Sequence, residues 1–414
     1  MHALLIHQAF TAPNQAGGTR HFEFARHAVR NGHRFTIVTS DLSYLTGQQV
    51  GAGQGPVAEE NVEGVRILRA RTYPSLHQSF VWRVVCFLSF MVSSIRAALR
   101  AGPVDVVVGT TPPIFQAVSA WAVSVLRWRP FLLEVRDLWP KFAIGLGVLK
   151  NPLLIVLSRW LESFLYARAT HLLVNSPAYR DYLVARGVPG EKVTLIPNGV
   201  DPTMFDPEAR GESVRRELDL GTDFVVTYAG ALGLANDIGT VLEAADRLRD
   251  ETGVKFLLVG DGKERGNLEA MAKSKGLPNV IFAGARAKHE MPAILAASDA
   301  CVATLKDIPE FRTTYPNKVF DYMAAGRPTI LAIDGVIRSV MERAGGGIYV
   351  PPGNPEALAD VLIKLKGNPD RARRMGNAAR EYVARHFDRN LHAKAFVDLL
   401  IGLGMKKRRL PDYS

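Results

Sequence analysis

Short β-branched runs alternate with longer helical patterns along almost the whole chain, and no other feature of the sequence restricts the fold as much. Residues 4–6 lead into a helical pattern over about 19–31, and a strand at 34–38 is followed later by an amphipathic pattern over about 79–101. Further strands are expected at 104–108, 131–135 and 171–174. Each intervening helix returns the chain to start a parallel neighbour, so the rhythm predicts an α/β fold: a parallel sheet covered on both faces. The rhythm pauses after residues 193–201, where Pro197-Asn198-Gly199 reads as a turn and 202–219 is polar. A fresh series then runs through 224–228, 255–259, 280–283, 300–303 and 328–332. The chain is therefore read as two α/β domains, 1–200 and 201–385, with a hinge at the Pro-Asn-Gly turn. A terminal helical segment, 386–414, is placed to pack back on the first domain. A length of 414 residues suits two cores better than one. Open α/β sheets bind ligands at the carboxyl ends of their strands, which is where a site is sought.

Charge narrows the partners. Lysine and arginine number 51 against 40 acidic residues, a net +11, which suits nucleic acid, a phosphorylated substrate or a membrane surface. The basic residues are not interleaved with aromatics in one strand or helix pattern, which disfavours nucleic acid. Cys86 and Cys301 are far apart, no Asp-x-Asp pair occurs, and no His or Cys cluster has ligand spacing, so a reducing cytoplasm and no metal are expected. The opening residues read as a strand rather than a signal peptide. The most apolar runs, 81–95 and 153–165, each carry an arginine and are shorter than the ~20 residues needed to span a bilayer, so no membrane-crossing helix is expected. Both helices are expected to turn most of their apolar residues to the core. Their basic ends (Arg83, Arg96, Arg100, Lys150, Arg168) and the tail Lys406-Lys407-Arg408-Arg409 point to a peripheral position on an anionic membrane face.

Three segments carry residues suited to a phosphorylated ligand. The first is the turn Gln15-Ala16-Gly17-Gly18-Thr19-Arg20-His21. Glycines there let backbone N–H groups approach a phosphate at a helix start, and Arg20 adds a full charge; a tight βα turn with Thr19 as N-cap accounts for the same residues. Gly260-Asp261-Gly262-Lys263 lacks the third glycine of a dinucleotide fingerprint. The second segment, Glu134-Val135-Arg136-Asp137-Leu138-Trp139-Pro140, follows a buried-type strand. Asp137 suits a base or an acceptor-orienting carboxylate and Arg136 a partner for it or for phosphate, unless Asp137 only caps the next turn. The third spans 309–328, where a polar loop enters a helix at about Asn317. Lys318 and Asp321 share a face there, so the helix start could hold a diphosphate and a ribose diol together; a solvated ion pair is the alternative.

Taken in order, Gly17-Gly18-Thr19-Arg20, Gly32-His33, Asp137-Leu138-Trp139-Pro140, Asn198-Gly199-Val200-Asp201, Tyr228-Ala229-Gly230-Ala231-Leu232-Gly233, Val259-Gly260-Asp261-Gly262 and the runs 292–306 and 316–328 resemble family-4 glycosyltransferases of the GT-B fold. The branch they most resemble transfers aminodeoxy sugars in O-antigen and capsule synthesis. The resemblance covers nearly the whole chain. It implies two Rossmann-like domains with parallel sheets facing across a cleft, the acceptor on the first and the nucleotide-sugar donor on the second. It further implies a retaining transfer of a hexosyl or N-acetylaminosugar unit from a nucleoside-diphosphate donor, with UDP favoured, to a lipid-linked or envelope glycan; the basic helix ends and tail place that reaction at the cytoplasmic membrane face. No cofactor is implied beyond that donor.

Residue by residue, the resemblance places Gly17 and Gly18 toward the donor diphosphate, and Ala285 and Arg286 at the nucleobase. Asp321 falls where a Glu usually binds both ribose hydroxyls, while the first Glu of the Glu-x7-Glu motif falls on Thr313. The Arg and Lys that many members carry after the first strand of the second domain fall on Ala231 and about Asn236, and the usual histidine falls beside Arg136-Asp137. Diphosphate charge must be met otherwise. Lys318, Arg312, Arg20, Asn317 and the backbone at Gly230, Leu232 and Gly233 are the candidates, with Asp137, Arg136 and Lys318 as the catalytic set. A nucleotide-sugar 2-epimerase would convert donor without acceptor, and a non-catalytic nucleotide-sugar-binding protein at the membrane would bind without turnover.

Overall fold

The computed structural model describes residues 1–13, 15, 17–43, 47–50, 55–74 and 80–406. Ala16, the expected helix start at 79 and the basic tail beyond Lys406 lie outside the described residues. The chain forms two compact units: residues 1–12, 19–197 and from 390 onward make the first, and 13–18 with 198–389 the second. The division thus falls at 197–198 and 389–390, against 200 and 385 in the sequence reading, and it groups Gly17 and Gly18 with the second unit.

In chain order the first unit contains β1 (His2–Ile6), α1 (Arg20–Arg30), β2 (Arg34–Ser40), β3 (Val57–Val62), β4 (Val65–Ala70), α2 (Phe80–Leu99) and β5 (Val106–Thr111). It continues with α3 (Ile114–Leu126), β6 (Phe131–Val135), α4 (Lys141–Gly145), α5 (Pro152–Arg168), β7 (His171–Val174), α6 (Pro177–Ala185) and β8 (Val193–Leu195). The second unit follows with α7 (Glu212–Glu217), β9 (Phe224–Ala229), α8 (Ile238–Arg247), β10 (Val254–Val259), α9 (Arg265–Lys275), β11 (Val280–Gly284), α10 (Met291–Ala296) and β12 (Ala300–Thr304). Then come α11 (Asn317–Ala324), β13 (Thr329–Ala332), α12 (Val336–Ala344), β14 (Gly347–Tyr349), α13 (Pro355–Lys366) and α14 (Pro369–His386); α15 (Arg389–Lys406) returns to the first unit.

The first sheet has eight strands in the order β3-β4-β2-β1-β5-β6-β7-β8, parallel except at its β3–β4 edge. Side chains alternate between its faces. Leu4 and Ile6 meet Phe90 of α2, Ala117 and Ala120 of α3 and Leu165 of α5. Ala3 and Leu5 meet Phe22 and Phe24 of α1 and Phe396 and Leu400 of α15, with Phe24 stacked on Phe396 at 4.8 Å between ring centroids.

Two features differ from the sequence reading. The β3–β4 hairpin was not foreseen: its two-residue turn, Glu63-Gly64, puts both residues at positive φ, 50° and 84°, without the Asn-Gly or Asp-Gly signal such turns favour. Asn61 compensates by accepting the Gly64 N–H through its side chain at 2.9 Å. The second difference concerns the apolar helices. α2 is long and apolar enough to cross a membrane by length and composition, although Cys86, Phe90, Ser94, Ala97 and Ala98 are buried against its own unit. On α5 only Glu162, Leu165 and Tyr166 are buried, so its first two turns do not face the core as expected.

The second sheet is wholly parallel, in the order β11-β10-β9-β12-β13-β14. Val225, Leu257 and Cys301 face α11, α12 and α14, whereas Val226, Phe256 and Val302 face α8, α9 and α13. At its carboxyl end the loops after β9 and β10 run backbone against backbone. Gly230 N donates to Val259 O at 2.9 Å, Leu232 N to Asp261 O at 2.9 Å, and Gly260 N to Gly284 O at 2.8 Å. Gly260 has φ +150°, and a Cβ on it would run into the Gly230 carbonyl. The Gly260-Asp261-Gly262 motif therefore serves loop packing. Replacing Gly260 with Ala is expected to cost about 2–3 kcal/mol, read as a lower urea midpoint for the second unit.

Candidate functional site

The carboxyl end of the second sheet gathers the loop after β9 and the start of α11. Tyr322, one turn into α11, locks the two: the Ala229 N–H donates to its hydroxyl at 2.8 Å, and that hydroxyl donates to Ala229 O at 3.1 Å. β12 pairs with β9 only at Val226 and Thr227, so the tyrosine takes over backbone groups that the ladder leaves unpaired. One turn earlier, Lys318 extends over the face of Tyr228, with Nζ 4.0 Å from the ring centroid. The ammonium donates to the Tyr228 hydroxyl and to Asn236 Oδ1 at 3.1 Å, while that hydroxyl donates to Ala231 O at 2.8 Å. A Cβ at Gly230 would stand 2.9 Å from Lys318 Cε and Nζ, so glycine is what lets the lysine lie along this loop. Burial pulls the Lys318 ammonium down to about 7.

Asp321, three residues on from Lys318 in α11, has a partner of its own. Both of its carboxylate oxygens accept from Lys288 Nζ at 2.7 Å, and Lys288 was not foreseen. No motif announces it: it stands in the loop after β11, and only the fold brings it to α11. Gly18 lies beside Asn317, whose Nδ2 would be 3.7 Å from a Cβ there. The Gly233 N–H has no partner among the described residues, but the Gly230 N–H is taken by Val259 O and the Leu232 N–H by Asp261 O, which removes both from the candidates. Arg312 is exposed and paired with Asp307 at 3.1 Å. Arg286 lines a cavity of about 280 Å³ with Val259, Ala283 and His289, its guanidinium held between Glu217 and Glu290. Ala285, next to it, is exposed.

At the carboxyl end of the first sheet the charges divide into an inner and an outer set. Glu134 is fully buried in β6 and pairs with Arg20 at 3.1 Å and with His21. Burial alone would raise its carboxyl, but His21 and Arg20, with Arg136 beyond, hold it well below the usual carboxylate range. Arg20 also donates to Pro197 O at 2.6 Å and Ile196 O at 2.8 Å, and is buried. It is thus committed to the interior of its own unit, which corrects its assignment to an open phosphate site. The outer set is Arg136 and Asp137. Arg136 donates to Thr111 O at 3.2 Å and to His7 Nε2 at 3.1 Å, so the neutral His7 ring carries its proton on Nδ1. Burial, Arg136 and His21 together keep His7 well below its ordinary range.

Asp137 is half-buried, and its carboxylate makes neither hydrogen bond nor ion pair among the described residues; it does not cap α4. Burial, partly offset by Arg136, pushes it up to about 6. At the ends of the neighbouring strands β1, β5 and β7, His7 Nδ1, Thr111 Oγ1 and Asn175 Oδ1 are buried polar atoms without partners among the described residues. A buried polar atom left unpaired costs about 1–3 kcal/mol, and such groups persist where a ligand completes them. None of the three was singled out from the sequence, because their convergence depends on strand order.

Two family models cover most of the chain: a glycosyl transferase 4-like domain matches residues 16–199, and glycosyl transferases group 1 match 223–368. The chain is a family-4 glycosyltransferase. Among relatives, the putative colanic acid biosynthesis glycosyl transferase WcaI of Escherichia coli K12 is 25% identical over 92% of this chain and 95% of its own length. The family resemblance and its capsule and O-antigen branch therefore stand. The GT-B fold is shown by solved structures. Sucrose-phosphate synthase of Thermosynechococcus elongatus superposes with a TM-score of 0.78 at 19% identity, covering 98% of this chain and 99% of that one. HepE of Anabaena, in complex with UDP and glucose, does so at 0.72 and 18%, covering 97% and 99%.

In this glycosyltransferase the Glu134 cluster fixes β6 beneath Asp137. Glu134→Gln leaves Arg20 buried without a counter-charge, and is expected to lower stability by about 3–5 kcal/mol. Chemical denaturation checks it; a loss below about 1 kcal/mol would mean that the cluster is not holding the strand.

Proposed function

We propose that this glycosyltransferase moves a sugar from a UDP-linked donor to a lipid-linked or envelope glycan with retention of configuration, and that the sugar is an N-acetylated aminodeoxy hexose. The observation that carries the donor half is the ammonium of Lys318 laid along the Gly230–Gly233 loop, beside Asn236. That is where the family resemblance places a lysine this chain lacks on the loop itself. UDP is favoured because HepE of the same fold binds UDP. An envelope glycan is favoured because the relative WcaI is named for colanic acid biosynthesis.

Chemically, the acceptor oxygen bonds to the anomeric carbon as the bond from that carbon to the diphosphate breaks. Negative charge develops on the leaving diphosphate, and a cation with N–H donors stabilises it more than it stabilises the ground state. Lys318 supplies the cation and the Gly233 N–H a donor. Asp321 would meet the ribose only by sharing its oxygens with Lys288. Asp137 takes up the proton of the acceptor hydroxyl, and the unpaired atoms of His7, Thr111 and Asn175 suit a polyhydroxylated acceptor. Since a lysine meets the diphosphate charge, turnover should survive EDTA.

Lys318→Met should weaken UDP binding by about 1.5–3 kcal/mol and slow transfer as well, measured by calorimetry and steady-state kinetics. An unchanged UDP affinity would remove Lys318 from the donor site.

Asp137→Asn should lower kcat by about 10²–10⁴-fold while UDP affinity holds. Equal losses in both would assign Asp137 to the donor or to folding.

The two groups also set a pH profile. Asp137 must be ionised, which fails as pH falls below about 6, and Lys318 must be protonated, which fails as pH rises above about 7. A narrow bell in kcat/KM is expected, with the acid limb lost in Asp137→Asn and the alkaline limb in Lys318→Met.

A further inference from the structure

The outward face of the first unit presents an unusual surface. α3 packs beside both α2 and α5, and all three lie on the same side of the sheet. Their solvent side is apolar: Trp82, Leu88, Val92 and Leu99 on α2, then Val125, Leu126 and Trp128 at the end of α3. α5 adds Leu153, Leu154, Val156, Leu157 and Trp160, with Leu153 66% and Trp160 62% exposed. Trp128 reaches 82%. These side chains fall on neighbouring helices rather than singly over the molecule, and contiguous apolar surface of this kind marks an interaction site. The first two turns of α5 have almost no polar side to present to water, since only Ser158 and Arg159 interrupt residues 152–161.

The charges around this face have one sign. Between Phe80 and Arg168 the chain carries ten lysines and arginines against four carboxylates, Asp105, Glu134, Asp137 and Glu162. Glu134 and Glu162 are buried, and Asp105 accepts from the His2 backbone N–H at 2.7 Å. α2 and α3 carry no acidic residue. Arg96, Arg100, Lys150, Arg159 and Arg168 are exposed on or beside the three helices. A second copy of the chain docked through the same face would set these cations against their equals, which disfavours self-association. An anionic interface accepts both halves of the pattern: the indole and leucine side chains enter the acyl boundary while the guanidinium and ammonium groups stay among phosphates.

We propose that the α2–α3–α5 face docks on an anionic lipid bilayer, with the first two turns of α5 and Trp128 as the inserted part. This goes beyond the reaction proposed above and does not depend on it. The full-length protein is to be sedimented with vesicles of phosphatidylcholine alone and of phosphatidylcholine with phosphatidylglycerol. Binding is expected to the anionic vesicles, to fall as salt rises, and to weaken about a hundredfold in the triple variant Leu153→Ser, Val156→Ser, Trp160→Ser. Lys150→Gln with Arg159→Gln should flatten the salt dependence. Unchanged far-UV circular dichroism and an unchanged thermal unfolding midpoint of the triple variant separate lost docking from lost fold. The proposal is overturned if the triple variant binds as the wild type does, or if neutral and anionic vesicles bind alike or not at all. It is equally overturned by a dimer that the triple variant dissociates, or by protein that resists salt and alkaline carbonate, which would mean that α2 crosses the bilayer.

Discussion

The hydroxyl of Tyr322 is the joint on which the second unit's site depends. It receives the Ala229 N–H and returns a hydrogen bond to the same residue's carbonyl. A strand end and a helix start are thereby held in one register, and everything nearby inherits that register. Lys318 can lie along Gly230 because α11 is fixed to β9 just before the chain turns. The turn itself is held from below, where Gly260 and Gly262 let the next loop lie directly against it. A side chain on Gly260 would collide with the Gly230 carbonyl, and one on Gly262 with the Leu232 carbonyl.

The first unit solves a different problem, since its charges sit on a strand buried on both faces. Glu134 is affordable there only because Arg20 and His21 meet it within the same core. With that demand satisfied internally, the carboxylate of Asp137, three residues on, makes no bond among the described residues. The contrast between a carboxylate held low by cations and one pushed up by burial separates a structural acid from a chemical one.

Period and punctuation made most of the architecture legible from the amino-acid sequence. The βα rhythm, its pause near the Pro197-Asn198-Gly199 turn and its resumption define both sheets, because alternation and loop breaks are local signals. Strand β5 begins two residues later than expected, at Val106 rather than residue 104. The Glu63-Gly64 turn was hidden by its ordinary composition. For the site, Asp137 and Lys318 were visible as residues, but their partners were not. Arg20 looked like a phosphate ligand because a cation after a glycine turn reads the same whether it points out or in; only strand order puts Glu134 beneath it. Lys288, Tyr228 and Asn175 come to their places from separate loops and strands, and no spacing in the sequence carries that information.

The return of α15 has a consequence for how the protein is made. Ala3, Leu5, Phe22 and Phe24 belong to the opening residues of the chain, yet part of their cover comes from Phe396, Val397, Leu400 and Leu403. During vectorial synthesis the whole second unit emerges before that cover exists. The first unit must therefore wait, with one face of its sheet incompletely roofed, until α15 leaves the ribosome. A chain cut short near residue 390 would keep every strand and both sets of site residues, but would leave that apolar face open to chaperones and to aggregation.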